Sequence, residues 1–286
     1  MLRVIAMTMF SIILFSEAIR ASHLRVVDLS HTHDLDAVTW PGNPDYNFTT
    51  IFRGSSEEGV WLQFNSFQTP EHMGTHIDAP SHFNEDALQV HQIPIEKLIG
   101  PGVIINVKSK VAANSDYRVT LDDIQDWETK YNQIPDGAVV IMNSGWSLRY
   151  PNKTLLFESQ TYTDATTYHF PGWHEDIVDW LLKNRNINVI GVDSASLDYG
   201  PATNFPVHQL LGANNITGVE HVANLDSIPE SGTIISVAPF KLYGGSGCPS
   251  RVYATHTVSS ASILYTTPCW TISVQVLVMW VAAIKF

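Results

Sequence analysis

The sequence predicts an α/β layered domain built on a mostly buried sheet. Three patterns carry that expectation. Apolar runs of strand length recur along the chain, two amphipathic helical segments fall between them, and strands outnumber helices. Taken in order, residues 28–39 are short and polar. Trp40-Pro41-Gly42-Asn43-Pro44 then makes a turn-rich loop, where proline fixes φ and glycine frees it. Trp61, Phe64 and Phe67 follow; they are expected either to line a pocket or to pack as core on alternating strand positions. Residues 103–107 read as a buried strand. Thr120 and Asp123 have the spacing of a capping box and open a short helix reaching about residue 130. A second apolar strand spans 137–142 and runs into a polar loop at 143–147. Residues 174–184 form an amphipathic helix with Ile177, Trp180 and Leu181 on one face. Strands are expected at 188–192, 216–219, 233–237 and 251–255.

Composition bounds the function. The 286 residues are 44% hydrophobic and 15% charged, which suits one globular domain of generous size or two small ones, and the reading is a single domain over 23–262. A net charge of −12 without basic clusters argues against nucleic acid and anionic membrane surfaces as partners. Residues 1–22 read as a signal peptide: Arg3, an apolar run at 4–15, then small residues at Ala18 and Ala21. Sequons at Asn47, Asn152 and Asn215 fit a secreted or lumenal glycoprotein. The two cysteines, Cys248 and Cys269, allow one bridge or a buried free Cys248. The tail at 263–286 is apolar over 271–284 and follows small residues at 259–262. It is either a GPI-attachment signal, which would bring the protein to a membrane, or a buried terminal element.

The most informative stretch is His72-Met73-Gly74-Thr75-His76-Ile77-Asp78-Ala79-Pro80-Ser81-His82. Imidazole nitrogens and a carboxylate oxygen are ligands for zinc-like or manganese-like ions. Gly74 permits a turn between the first two histidines, and Pro80 disfavours helix at Ala79, so the cluster reads as a shaped loop or strand end. Distant ligands should complete such a site. His208 follows Phe205-Pro206-Val207, a turn-like approach, and Glu220 ends an apolar strand where a lone carboxylate would be costly. No G-x-S-x-G elbow supports a serine-hydrolase route.

The pattern His72-x-Gly74-Thr75-His76-x-Asp78-x-Pro80-x-His82 resembles the signature of the cyclase-like metal-dependent hydrolases, a family that includes bacterial kynurenine formamidases and isatin hydrolases. The similarity runs from about Val27 to about Val258, through Trp40-Pro41-Gly42, Gly100-Pro101, Gly191-Val192-Asp193, His208, Glu220 and Pro249-Ser250-Arg251. The resemblance implies a swivelling β/β/α architecture and a homo-oligomer, a dimer. It also implies one or two divalent ions, Zn2+ or Mn2+. His72, His76 and Asp78 would hold the first; Asp78 would bridge to a second on His208, with Glu220 shared. His82 would be the proton shuttle, and Trp40 would stack on an aryl substrate. The implied chemistry is attack of a metal-activated water on an amide carbonyl. The leading substrate is an aryl formamide such as N-formylkynurenine. A cyclic, isatin-type amide and a metal-binding protein without turnover are the alternatives.

Overall fold

The structure, a computed structural model, describes residues 22–259. Residues 1–21 of the expected signal segment, the apolar tail at 263–286 and Cys269 lie outside them. Val26–Thr255 form one compact unit.

A closed ring of strands organises the main unit. β1 (Ser22–Asp28), β2 (Asn47–Ser55), β3 (Trp61–Gln68) and β4 (His76–Asp78) come first. β5 (Ile99–Asn106), α1 (Lys108–Val111), β6 (Arg118–Val119), α2 (Leu121–Tyr131) and β7 (Ala138–Asn143) follow. Next are α3 (Lys153–Leu156), β8 (Gly172–Trp173), α4 (Glu175–Asn184), β9 (Ile187–Val192) and α5 (Pro206–Ala213). The last strands are β10 (Thr217–Glu220), β11 (Thr233–Pro239) and β12 (Gly247–Ser259). The sheet order is β1-β12-β11-β5-β7-β9-β10-β4, and β12 also pairs with β4, which closes seven of the eight strands on themselves. β5, β7, β9 and β10 run parallel, with helices in their connections; the remaining ring pairings are antiparallel.

Alternation along each strand divides the core in two. Every ring strand gives side chains to one cluster, among them Ile104, Ile141, Val189, Val219, Ile77, Ile235 and Val252. The opposite positions, such as Val103, Val140 and Ile190, join the helix residues Ile124, Trp127, Val178, Leu181 and Leu211 in the other. The expected strands all form, with ends shifted by a few residues. The capping box at α2 is made on both sides, and Thr120 N donates to Asp123 Oδ2 at 2.8 Å.

Two expectations change. Residues 206–213 form a helix rather than a turn-like approach, because Pro206 is tolerated in the first turn and Asp198 accepts the backbone N–H groups of Val207 and His208. Trp61, Phe64 and Phe67 are neither core nor part of the cavity described below. They lie on a separate two-stranded ribbon, β2–β3, with exposures of 62%, 53% and 54%. Their spacing of three puts Phe64 on the face opposite Trp61 and Phe67, and in this unit neither face of the ribbon has a second layer to cover it.

Candidate metal centre and active site

Strand register builds the centre. Alternation along β4 sends His76 and Asp78 to one face while Ile77 enters the ring core. Across the antiparallel pairing with β10, Glu220 is the partner of His76 and Gly218 the partner of Asp78. A Cβ on Gly218 would lie 2.5 Å from Leu197 Cδ1 and 3.4 Å from Asp78 Cβ, so glycine there leaves room for the carboxylate. On the other side Gly247 of β12 faces Asp78, and a Cβ on it would meet the His72 ring at 2.4 Å. Past Pro80 a single 3-10 turn carries His82 back over the site, and α5 brings in His208.

The donor atoms converge. His76 Nε2 lies 3.4 Å from Asp78 Oδ1 and 3.5 Å from Glu220 Oε2. Its Nδ1 lies 2.8 Å from the Gly74 carbonyl, which only accepts, so Nδ1 holds the proton of the neutral ring and Nε2 presents its lone pair. His208 Nε2 lies 3.3 Å from Asp78 Oδ2 and 3.2 Å from Glu220 Oε1, while its Nδ1 is 2.6 Å from Asp198 Oδ2. His76, Asp78, His208 and Glu220 are each less than a tenth exposed, and Asp78 Oδ2 is buried without a hydrogen-bond partner. Lone pairs facing carboxylates in a buried space are unfavourable unless a cation or added protons lie between them. With protons alone, burial opposes charge on His208, but its contacts with Asp198, Asp78 and Glu220 outweigh that and raise its pKa well above the usual value. Asp78 moves the other way: burial raises it, yet bonds to His208, His72 and His76 bring it well below. A divalent ion meets the same demand without protons, and nitrogen and oxygen donors are its usual ligands. The residues fit the group.

His72 is placed differently from His76. Its Nδ1 lies 2.7 Å from Asp78 Oδ1, its Nε2 lies 3.2 Å from Ser246 Oγ, and its ring stacks on His82 at 3.9 Å. Two groups of donors are therefore close enough to hold an ion, His76–Asp78–Glu220 and His72–Asp78–His82, with Asp78 common to both. The implied first set joined His72 to His76, whereas here His72 pairs with His82. His82 faces a cavity of about 300 Å3 and is itself exposed. Enclosure by the surrounding protein lowers its pKa; Asp78 opposes this, and His72, His208 and His76 add to it, so the ring is neutral at pH 7. Trp40 lines the same cavity, edge-on to Phe157 and Phe205.

The Cyclase family model matches residues 27–199. The chain belongs to the Cyclase family. Isatin hydrolase of Roseibium aggregatum is 31% identical to this chain over 205 residues, 69% of this chain and 76% of its own. A kynurenine formamidase of Bacillus anthracis is 26% identical, covering 79% and 94%. Among solved structures, isatin hydrolase A from Ralstonia solanacearum superposes with a TM-score of 0.73 at 32% identity, covering 82% of this chain and 92% of that one. These relatives are hydrolases, and the ring-sheet fold is theirs as well.

Two residues of this cyclase-family hydrolase carry no local sequence signal. Asp198 accepts from Val207 N and His208 N and pairs with His208 Nδ1, so one carboxylate caps α5 and fixes the ring that points at the centre. His221 follows Glu220 directly and lines the cavity. The adjacency was legible, but the orientation of the ring was not. Of the other expected family positions, Asp193 holds the 144–146 loop by accepting from Ser144 N and Trp146 N, and Arg251 pairs with Asp28, away from the cavity. Cys248 is buried in the ring core, consistent with a mechanism that needs no thiol nucleophile.

Asp198→Asn should keep the fold and weaken divalent-ion affinity by roughly 10–100-fold, the usual size of such a positioning effect. Titration of the metal-free protein with Zn2+ reads this directly, and unchanged affinity would show that Asp198 only caps the helix.

Proposed function

We propose that the protein hydrolyses the C–N bond of an uncharged aryl amide, with a cyclic, isatin-type amide preferred over N-formylkynurenine. The observation that carries the preference is the composition of the cavity wall. Trp40, Phe83, Phe157 and Phe205 supply aromatic surface, while the polar lining is histidine, aspartate, glutamate, asparagine, serine and threonine. No lysine or arginine is among the described lining residues. The α-carboxylate of N-formylkynurenine, remote from the amide that the ion would engage, would enter a largely aromatic space with no described lysine or arginine to pair with, which is costly. A neutral bicyclic amide meets no such penalty, and its ring suits aromatic walls that favour edge and offset contacts.

The chain's own groups divide the work. His76, His208, Asp78 and Glu220, with His72 alongside, are positioned to hold a divalent ion. Bound there, the ion supplies Lewis acidity and an activated water. Neutral His82 has the geometry to take a proton on the open side of the centre and return it to the leaving nitrogen. Trp40 and Phe205 orient the aryl group, and Gly74 and Asp198 fix the tautomers of His76 and His208. Purified protein loaded with Zn2+ or Mn2+ should turn over isatin with a higher kcat/KM than N-formylkynurenine. The reverse order would return the formamidase reading. Stoichiometric metal with no turnover of either, or of formanilide, would favour a metal-binding protein.

We also propose a homodimer through β2–β3. Phe48, Ile51, Phe52, Val60, Trp61 and Phe64 are all exposed on this ribbon, distributed over both of its faces. A two-stranded ribbon is marginal alone in water. Aromatic side chains carry about 150–250 Å2 each, so half-exposed ones in this number approach the ~800 Å2 per partner of a standard interface. A second copy offers the matching apolar ribbon. Light scattering should give twice the monomer mass for the wild type and the monomer mass for Phe64→Lys; a monomeric wild type would refute the dimer.

A further inference from the structure

His221 is a titratable cavity residue to which the mechanism above gives no task. It is 4% exposed, and its backbone sits at φ 52, a left-handed conformation uncommon for a residue with a side chain. Two contacts hold it there: His221 N donates to the Ser194 carbonyl at 3.2 Å, and the His221 carbonyl accepts from Thr75 Oγ at 2.7 Å. Strain fixed by its surroundings is a feature of functional positions more than of ordinary core. The ring neighbours His76 at 6.2 Å and Tyr150 at 5.6 Å between centroids. His82, by contrast, neighbours His72, Phe83 and His208. The two histidines therefore adjoin different members of the centre.

Nδ1 of His221 is fully buried and has no hydrogen-bond partner. A proton on Nδ1, in a neutral or a charged ring, would be a buried donor with no acceptor. A neutral imidazole has one N–H and one acceptor nitrogen. An orphaned buried N–H is rarer than an under-satisfied acceptor, so the proton belongs on Nε2 and Nδ1 is left as the unpaired acceptor. The cavity wall next to His76 and Glu220 then offers a fixed N–H donor. Aspartate and glutamate in the same wall are acceptors only.

We propose that His221 is a specificity-determining residue that donates a hydrogen bond to a second carbonyl of the substrate, the one adjacent to the scissile amide carbonyl. This rests on the aryl-amide hydrolase reading and sharpens it to α-oxo amides. Glu220 and His221 line the same cavity, and the His221 ring lies 6.2 Å from that of His76, so a carbonyl beside the scissile one can meet this donor. A simple formamide has only hydrogen on that side and leaves the donor unpaired. A site built to hydrogen-bond a group discriminates against ligands lacking it, because its own buried polar atom is then left without a partner.

The test uses metal-loaded wild type, His221→Phe and His221→Asn. Asparagine tolerates the left-handed backbone and keeps an N–H donor, so it guards against misfolding. Calorimetry measures binding of phenylglyoxylate, which carries the α-oxo group and does not react, and of phenylacetate, which lacks it. His221→Phe should retain its metal and bind phenylglyoxylate roughly 10-fold more weakly, the size of one lost hydrogen bond, with a much smaller change for phenylacetate. His221→Asn should fall between the two. The ratio of isatin to formanilide kcat/KM should drop by a similar factor in His221→Phe. Equal loss for both ligands, or loss of metal, would assign His221 a structural role and overturn the proposal. Wild type that discriminates between the two ligands but hydrolyses no amide would instead overturn the reaction and leave the assignment of the donor intact. Wild type that fails to discriminate would overturn the donor itself.

Discussion

His76→Ala is expected to abolish divalent-ion binding and, with it, hydrolysis. The ring is 3% exposed and lies between two carboxylates, with Nε2 3.4 Å from Asp78 Oδ1 and 3.5 Å from Glu220 Oε2. Removing it does more than subtract one ligand. Without the ion this ligand helps to hold, Asp78 and Glu220 would be left buried with no cation between them, and their easiest escape is protonation, which also ends their use as ligands. Removing a group that merely orients a ligand costs about 10–100-fold in metal affinity, so loss of a ligand itself should exceed about 100-fold. Metal content by elemental analysis, beside a thermal melt to confirm folding, decides the matter. A folded variant with wild-type metal content would move the centre away from β4.

His82→Ala is expected to keep the metal and slow turnover by roughly 10²–10⁴-fold, the usual contribution of a positioned acid–base group. His82 differs from the other histidines of the cluster. It is exposed to the cavity, it stacks on His72 at 3.9 Å, and among the described residues no protein group hydrogen-bonds its ring nitrogens. A ligand histidine is normally oriented through its second nitrogen, as His76 is by Gly74 and His208 by Asp198. A shuttle needs one nitrogen left open to exchange a proton with the substrate, and His82 has that. His82 can nonetheless form a donor group with His72 and Asp78. The variant separates the two roles: metal retained with slow turnover identifies a shuttle, while metal lost in proportion to activity identifies a ligand.

The part of the site legible in the sequence was the part that depends on neighbours in the chain. Period-two alternation places His76 and Asp78 on one side of β4, and Pro80 ends the strand and starts the turn that lifts His82. Those relations survive whatever the rest of the fold does. The capping box at Thr120 and the amphipathic face of α4 were readable for the same reason. Trp61, Phe64 and Phe67 show where local reading stops. Their aromatic side chains suit a strand, but whether a strand face is covered depends on what lies opposite, and in this unit nothing covers the ribbon.

The sequence by itself determined the donor types, their order and the local shape of the 72–82 segment, because backbone periodicity and proline geometry act over a few residues. Only the tertiary structure decided that Glu220 stands beside His76 and that β12 closes the ring against β4. It also decided that Asp198 fixes His208 and that His72 pairs with His82. Each of these is a matter of strand register or of a cap supplied from elsewhere in the chain. A shift of one residue would turn Glu220 to the other face of β10, and no local pattern distinguishes one register from the next. The core on both faces of the ring selects the register, and the register makes the centre.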